Sequence, residues 1–252
     1  MSTYQIYFSP TGHTEEIVKT VSEVFGNTCE IDLSTTTISN RKDFSENDVC
    51  VIGVPSYGGR VPAVALERMS EYRGNGAKAI IIVSYGNRDY DDTLKELQDF
   101  VIEKGFSCIA AISAVAEHSI MHQFATGRPN EEDKKELISY AKKIAEKLTT
   151  TKENTLLKIK GNVPYKEYNG IPLKPKTDDS CKGCGICASS CPVGAIPIDN
   201  PKTTDINKCI SCMRCLQLCP SNSRKMDENI IQVFSAKMEK ACSLRKVNEL
   251  FL

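Results

Sequence analysis

The chain has no surplus charge of either sign: 32 Lys and Arg stand against 32 Asp and Glu in 252 residues. That balance gives no electrostatic reason to expect nucleic acid or an anionic membrane as a partner. Nowhere do 18 consecutive apolar residues occur, so no membrane-spanning helix is expected. The first residues, MSTYQIYF, lack the basic start of a secretion signal and run straight into a strand pattern. No Gly-x-Gly-x-x-Gly follows any strand, which leaves the chain without a nicotinamide-binding fingerprint. Cysteine is scarce before residue 180: Cys29, Cys50 and Cys108 stand alone in apolar strands, where each is expected to be a small buried hydrophobe. Cys242, in the tail, fits no ligand spacing and takes the same reading.

The remaining cysteines form two copies of Cys-x-x-Cys-x-x-Cys-x-x-x-Cys-Pro. One is Cys181, Cys184, Cys187, Cys191 and Pro192; the other is Cys209, Cys212, Cys215, Cys219 and Pro220, each member 28 residues after its counterpart. Dense cysteine without a secretion signal argues for metal or redox use in a reducing cytoplasm rather than for disulfides. Zinc takes two Cys-x-x-Cys pairs per ion. Here a third cysteine follows at the same interval and a Cys-Pro closes each run. The pattern resembles the bacterial ferredoxin signature for two [4Fe–4S] clusters, in which the fourth cysteine of each run serves the other cluster. The resemblance implies one cluster on Cys181, Cys184, Cys187 and Cys219, and one on Cys209, Cys212, Cys215 and Cys191. Such clusters are oxygen-labile, which points to an anaerobic or low-oxygen host. After the first run the chain reads Val193-Gly194-Ala195-Ile196, the usual ferredoxin continuation. After the second it reads Ser221-Asn222-Ser223-Arg224, a more polar stretch that bears on the hydrogen bonding, and hence the potential, of one cluster.

The first 150 residues alternate strand and helix. Thr3 to Phe8 alternates apolar and polar residues; Thr28 to Leu33 is a second strand; DVCVIGV (48–54), the apolar run 79–83 and 106–116 are three more, too apolar for strands with a solvated face. Helices are expected after Gly12, from Pro62, around Leu94, Leu97 and Val101, and beyond Asn130. Asn130 can cap the last of these, with Glu131, Glu132 and Asp133 suited to the positive end of its dipole. Five strands separated by helices read as an α/β open parallel sheet, with ligands outside the carboxyl ends of the strands.

Three loops lie at those ends. Ser9-Pro10-Thr11-Gly12-His13-Thr14 brings hydroxyls and a glycine into a helix start, a setting suited to a phosphate, with no Lys or Arg in it. Pro55-Ser56-Tyr57-Gly58-Gly59 and Ser84-Tyr85-Gly86-Asn87-Arg88-Asp89-Tyr90-Asp91 each set a tyrosine against glycine, a flat face beside close backbone approach. Neutral phosphate donors and paired aromatic loops resemble flavodoxin, although His13 stands where flavodoxins commonly carry Asn. The resemblance implies FMN and a sheet of order 2-1-3-4-5. Ser9, Thr11, Gly12, His13 and Thr14 would then face the phosphate. Pro55, Ser56, Tyr57, Gly58, Gly59, Ser84, Tyr85, Gly86, Asn87, Tyr90 and Asp91 would surround the ring, with Tyr57 and Tyr85 or Tyr90 flanking it. His118 and His122, just after the fifth strand, are near enough for a flavin contact.

The organisation expected is a flavodoxin-like domain (1–150), a Pro/Gly-rich linker (151–178), a small α+β two-cluster ferredoxin domain (179–225) and a helical tail (226–252) with Ile230, Phe234 and Met238 at four-residue steps. As a free coil the linker spans roughly 30 Å, against a compact first-domain radius of roughly 15 Å. It permits docking on its own first domain or on that of a second copy in a homodimer. The whole resembles a flavodoxin–ferredoxin fusion. This implies electron transfer between clusters and FMN, with redox proteins as donor and acceptor. The alternative is an FMN-dependent reductase of a small acceptor, such as a quinone, fed by the clusters.

Overall fold

A computed structural model describes residues 2–37, 41–150 and 156–252. Its first half alternates β1 (Thr3–Tyr7), α1 (His13–Ser22), β2 (Thr28–Asp32), β3 (Arg41–Asp43), β4 (Val49–Pro55), α2 (Ala63–Arg68), β5 (Glu71–Arg73), β6 (Lys78–Tyr85), α3 (Thr93–Glu103), β7 (Ser107–Val115) and α4 (Glu131–Thr150). The strands β2, β1, β4, β6 and β7 lie side by side in that order, all parallel, which is 2-1-3-4-5 when only strands of this sheet are counted. The pair β3 and β5 forms a separate two-stranded parallel ladder.

Alternation along each strand sends neighbouring side chains to opposite faces. Ile52 and Ile81 join Ile6, Phe8, Ala65, Met69, Leu94 and Leu97 beneath α2 and α3. Val51, Ile80 and Ile82 join Tyr7, Ile17, Val18, Leu137, Ala141 and Ile144 beneath α1 and α4. Both faces are covered, which is why β4 and β6 contain almost no polar residue. Each such aliphatic side chain taken fully out of water contributes roughly 1.5–3 kcal/mol before entropy is counted. Asn130 caps α4 as expected: its Oδ1 accepts from the N–H groups of Glu132 and Asp133, and Asp133 Oδ2 accepts from Asn130 N–H in return. Cys50 is buried and Cys108 half-buried. Cys29 is exposed, contrary to its apolar setting in sequence, because β2 is an edge strand.

The second half contains β8 (Lys176–Thr177), the four-residue helices α5 (Ile186–Ser189) and α6 (Arg214–Gln217), β9 (Arg224–Lys225), α7 (Glu228–Cys242) and β10 (Glu249–Phe251). The antiparallel pair β8 and β9 closes the cysteine-rich module. Its apolar centre is small: Ala188, Cys191, Ala195 and Ile196, with Cys187, Val193, Cys209 and Cys215 against them. Asp227 caps α7 through its side chain. Beyond α7 the chain returns to the first domain, where β10 pairs antiparallel with β7 and adds a sixth strand to the sheet, one that the sequence does not announce. Cys242 is buried, as expected, against Met121 and Phe124.

Residues 156–170 lie along α3 of the same chain. Leu157 enters the sheet core and its carbonyl accepts from Gln98. Asp92 accepts from the Asn162 and Lys166 N–H groups, Tyr165 OH donates to Asp99, and Lys160 and Lys166 pair with Asp89 and Asp91. Among the described residues no helix is long and apolar enough to cross a membrane.

Candidate redox sites

At the first loop, Gly12 adopts a left-handed conformation (φ 89°) and turns the chain into α1. Ser9 Oγ accepts the Glu15 N–H at 2.9 Å, satisfying one orphan donor of the helix start. The N–H groups of Gly12, His13 and Thr14 have no acceptor among the described residues, so they remain available to an anion at the positive end of α1. Thr14 Oγ1 is instead 2.7 Å from Ser84 Oγ, a buried bond that ties the first loop to the end of β6.

The second and third loops join this one around a single cleft. Thr11, His13, Thr14, Pro55, Ser56, Tyr57, Gly58, Gly59, Ser84, Tyr85 and Gly86 all line it. The space in and before the cleft is about 1100 Å³, with the open solvent at its mouth included. Tyr57 is half-buried and set edge-on to Phe8, with centroids 6.4 Å apart. Ser56 Oγ meets Thr93 Oγ1 at 2.7 Å. Burial pushes the Tyr57 hydroxyl well above the ordinary tyrosine value, with Cys212 and Tyr168 adding to the shift. Tyr85 is mostly buried and leans edge-on against Tyr90, with centroids 5.3 Å apart.

Five residues expected at the flavin do not line the cleft. Ser9 and Gly12 shape the first loop from behind. Asn87 ties down the tail: its Nδ2 donates to the Cys242 and Leu244 carbonyls and its Oδ1 accepts the Lys246 N–H. Tyr90 OH donates to Glu249. Asp91 pairs with Arg88 and Lys166 while packing on Gly59.

Other walls of the cleft come from residues with no pattern to mark them. Tyr168 of the linker lies on Gly58: a Cβ there would fall 2.2 Å from its ring. Leu173, Ile210, Ser211, Phe234 and Met238 also line the cleft. His118 also lines it, whereas His122 is exposed and bonded to Glu117. His118 Nδ1 accepts the N–H groups of Ile120 (3.2 Å) and Met121 (3.1 Å), which fixes the neutral ring with its proton on Nε2. Burial lowers His118 to about 4, with His122 and Arg88 pushing the same way.

The cysteine runs form two groups, with the fourth member exchanged. Cys181, Cys184, Cys187 and Cys219 border one small closed cavity. Cys212 lies near Cys215, Cys191 and Cys209, the other set. Burial pushes the Cys212 and Cys215 thiols up to about 12, so at neutral pH they keep their protons unless a metal replaces them. Cys219 lies at about 6, where Ser223, Ser221 and backbone N–H groups outweigh the burial that would raise it. Among the described residues no three His, Cys, Asp or Glu side chains converge as a single ion requires. A cubane spreads its four thiolates over four irons. Arg224 fits such a centre: it borders the first cavity, is 4% exposed, and its Nε is buried with no hydrogen-bond partner among the described residues. An anionic cluster there would supply the counter-charge that this guanidinium lacks.

Besides the packing of Ile210 against the sheet core, two hydrogen bonds among the described residues join the module to the first domain. Arg68 donates to the carbonyl of Pro192, next to Cys191, and Gln217 Nε2 donates to the Thr11 carbonyl in the first loop at 3.1 Å.

Residues 180–223 match the 4Fe-4S dicluster domain family. Among curated proteins, an uncharacterized protein of Methanocaldococcus jannaschii is 44% identical over 41 residues, 16% of this chain and 19% of that protein. The DNA-directed RNA polymerase subunit Rpo3 of Methanosarcina acetivorans is 38% identical over 64 residues, 24% of this chain and 23% of its own. The chain thus spans about a fifth of the length of the curated relatives it matches. Among solved structures, oxidised flavodoxin 1 from Bacillus cereus aligns with 58% of this chain and 98% of its own (TM-score 0.43, 16% identity). A flavodoxin from the domain Archaea aligns with 59% and 99% (TM-score 0.37, 13% identity). Strand order and the domain match together describe the chain: an α/β domain with a parallel sheet of order 2-1-3-4-5, followed by a cysteine-rich segment similar to the 4Fe-4S dicluster domain family.

Proposed function

We propose that this chain is an electron-transfer protein that holds FMN in the cleft and two [4Fe–4S] clusters on the cysteine runs, and relays electrons between them. The observation that carries this reading is a shared wall. Ile210 and Ser211, placed between the ligand positions Cys209 and Cys212, line the same cleft as Thr11, Tyr57 and Gly86. FMN when bound exchanges one or two electrons and each cluster exchanges one, so the chain can couple single-electron carriers to a two-electron partner. The His13 and Thr14 N–H groups receive the phosphate, and the glycines at 58, 59 and 86 let backbone approach the ring. Redox proteins serve as donor and acceptor.

The cover that the linker, the cluster module and α7 give to one side of the cleft favours a relay over a reductase of small molecules. Tyr168, Ile210, Ser211, Phe234 and Met238 wall the cleft that a small acceptor would need to enter. His118, a fixed donor in that cleft, is the feature that a reductase would use.

The test is composition followed by kinetics. Protein purified without oxygen is expected to contain roughly eight iron atoms, as two clusters of four, and to release FMN on denaturation. A one-electron reductant should reduce iron and flavin together, at a transfer rate independent of protein concentration. Stoichiometric zinc with little iron, or a reconstituted protein that does not retain FMN, refutes the assignment.

A further inference from the structure

The cysteine runs are repeats, so each residue after Cys219 has a counterpart 28 positions earlier, after Cys191. These counterparts differ sharply in polarity. Cys191 is followed by Val193, Ala195 and Ile196, and its Sγ accepts the Ala195 N–H at 3.3 Å. Cys219 is followed at the same places by Ser221, Ser223 and Arg224. Its Sγ is 3.2 Å from Ser223 Oγ and 3.6 Å from Ser221 Oγ, and Ser221 Oγ donates to Ser223 Oγ at 3.2 Å.

A thiolate bound to iron carries no proton, so at this sulfur the hydroxyl must be the donor. Ser221 to Ser223 to Cys219 is then a chain of hydroxyls ending on sulfur, each bond polarising the next. Ser223 is 1% exposed, which shields that chain from bulk water. Arg224 adds a buried cation where the first run has Ile196. Among the described residues its guanidinium is held by neutral oxygens, those of Pro201, Thr203 and Thr204; it borders the cavity of Cys181, Cys184, Cys187 and Cys219 and also favours the Cys215 thiolate of the other set, so the difference between the two sets lies in the serines.

Reduction adds one electron, and so one negative charge, to a cluster. Donors and cations already aimed at its sulfurs stabilise the reduced form more than the oxidised one and raise the potential. The other cluster, on Cys209, Cys212, Cys215 and Cys191, has an aliphatic continuation at the equivalent sulfur.

We propose that Ser221 and Ser223 set the cluster held by Cys181, Cys184, Cys187 and Cys219 at the higher potential of the two. Single electrons come to rest there, and the cluster beside the flavin cleft is the stronger reductant. This rests on the two-cluster reading above, and it gives that reading an internal order.

The experiment is a redox titration of the full-length holoprotein under nitrogen, following both clusters by electron paramagnetic resonance, with iron measured on every sample. The wild type is expected to show two separated cluster transitions. The variant Ser221→Val with Ser223→Ala, which installs the residues of the first run, should move the more positive transition to a more negative potential. It should leave the other transition in place and the iron content unchanged. The reciprocal variant, Val193→Ser with Ala195→Ser, should raise the more negative transition, and it decides the matter if the first variant loses iron. Both transitions unmoved at full iron content in the reciprocal variant, or in the first, overturn the tuning alone. A wild type without iron overturns the two-cluster reading on which it stands.

Discussion

Arg68 and Pro192 join the two halves of the molecule: the Arg68 NH2 donates to the Pro192 carbonyl at 2.6 Å, while its NH1 donates to the Leu33 carbonyl just beyond β2. Arg68 is 9% exposed, and burial weakens its hold on its proton, against the pull of Asp32 and Glu67. Arg68→Met keeps the aliphatic stem and removes both donors, leaving two carbonyls without a charged partner. Hydrogen bonds to a charged group contribute about 2 kcal/mol each, less the cost of burying the charge. The expected outcome is a lower denaturation midpoint and slower transfer between iron and flavin, at unchanged iron and FMN content. An unchanged midpoint together with an unchanged transfer rate shows that docking does not depend on this contact.

How far this architecture can be read from sequence depends on the range of the interaction concerned. β4 and β6 are legible because burial on both faces demands an unbroken apolar run. The cluster ligands are legible because their spacing is itself the chemistry. β10 is not: Glu249-Leu250-Phe251 has no period to mark it, and it is held by Asn248 Oδ1 accepting the Val115 N–H and by Ser113 donating to Glu249. Asn87 and Tyr90 sit in a loop of flavin-binding appearance, yet their partners are Lys246 and Glu249, far along the chain. Tyr168 lies in a Pro/Gly-rich segment that reads as free coil, and only the fold lays it on Gly58. Cys29 misled for the reverse reason: an apolar local pattern does not reveal that its strand ends up at an edge.

Gly58 and Tyr168 test the enclosure of the cleft. Gly58 has φ 62°, and an added Cβ would lie 2.2 Å from the Tyr168 ring. Gly58→Ala therefore carries a backbone cost of about 1–2 kcal/mol and displaces the tyrosine. FMN retention should fall at least several-fold while iron stays at its wild-type level. Adding Tyr168→Ala removes the clash but not the backbone strain, so the double variant should recover part of the loss relative to additivity. Strict additivity of the two single effects would show that Tyr168 does not close over the second loop.

His118 gives the molecule an acid limb whose sign follows from its lowered value. An unfolded histidine titrates near 6.5, whereas His118 titrates at about 4. Its Nδ1 lone pair is committed to the Ile120 and Met121 N–H groups, and a proton there would break both bonds. Between those two pH values the unfolded chain binds a proton that the native one does not, so stability falls as pH drops from about 6.5 towards 4. Above that window the residue contributes no pH dependence. The loss is on the order of 2 kcal/mol once its partial exposure is allowed for. His118→Gln retains an acceptor for the two N–H groups and cannot titrate. Urea midpoints of wild type and variant should therefore differ by a constant at pH 7 to 8, and converge or cross as the pH falls to 5. A difference that stays constant across the whole range would mean that His118 takes up its proton without breaking the turn at 118–121, and that its ring is not held in the donor tautomer facing the cleft.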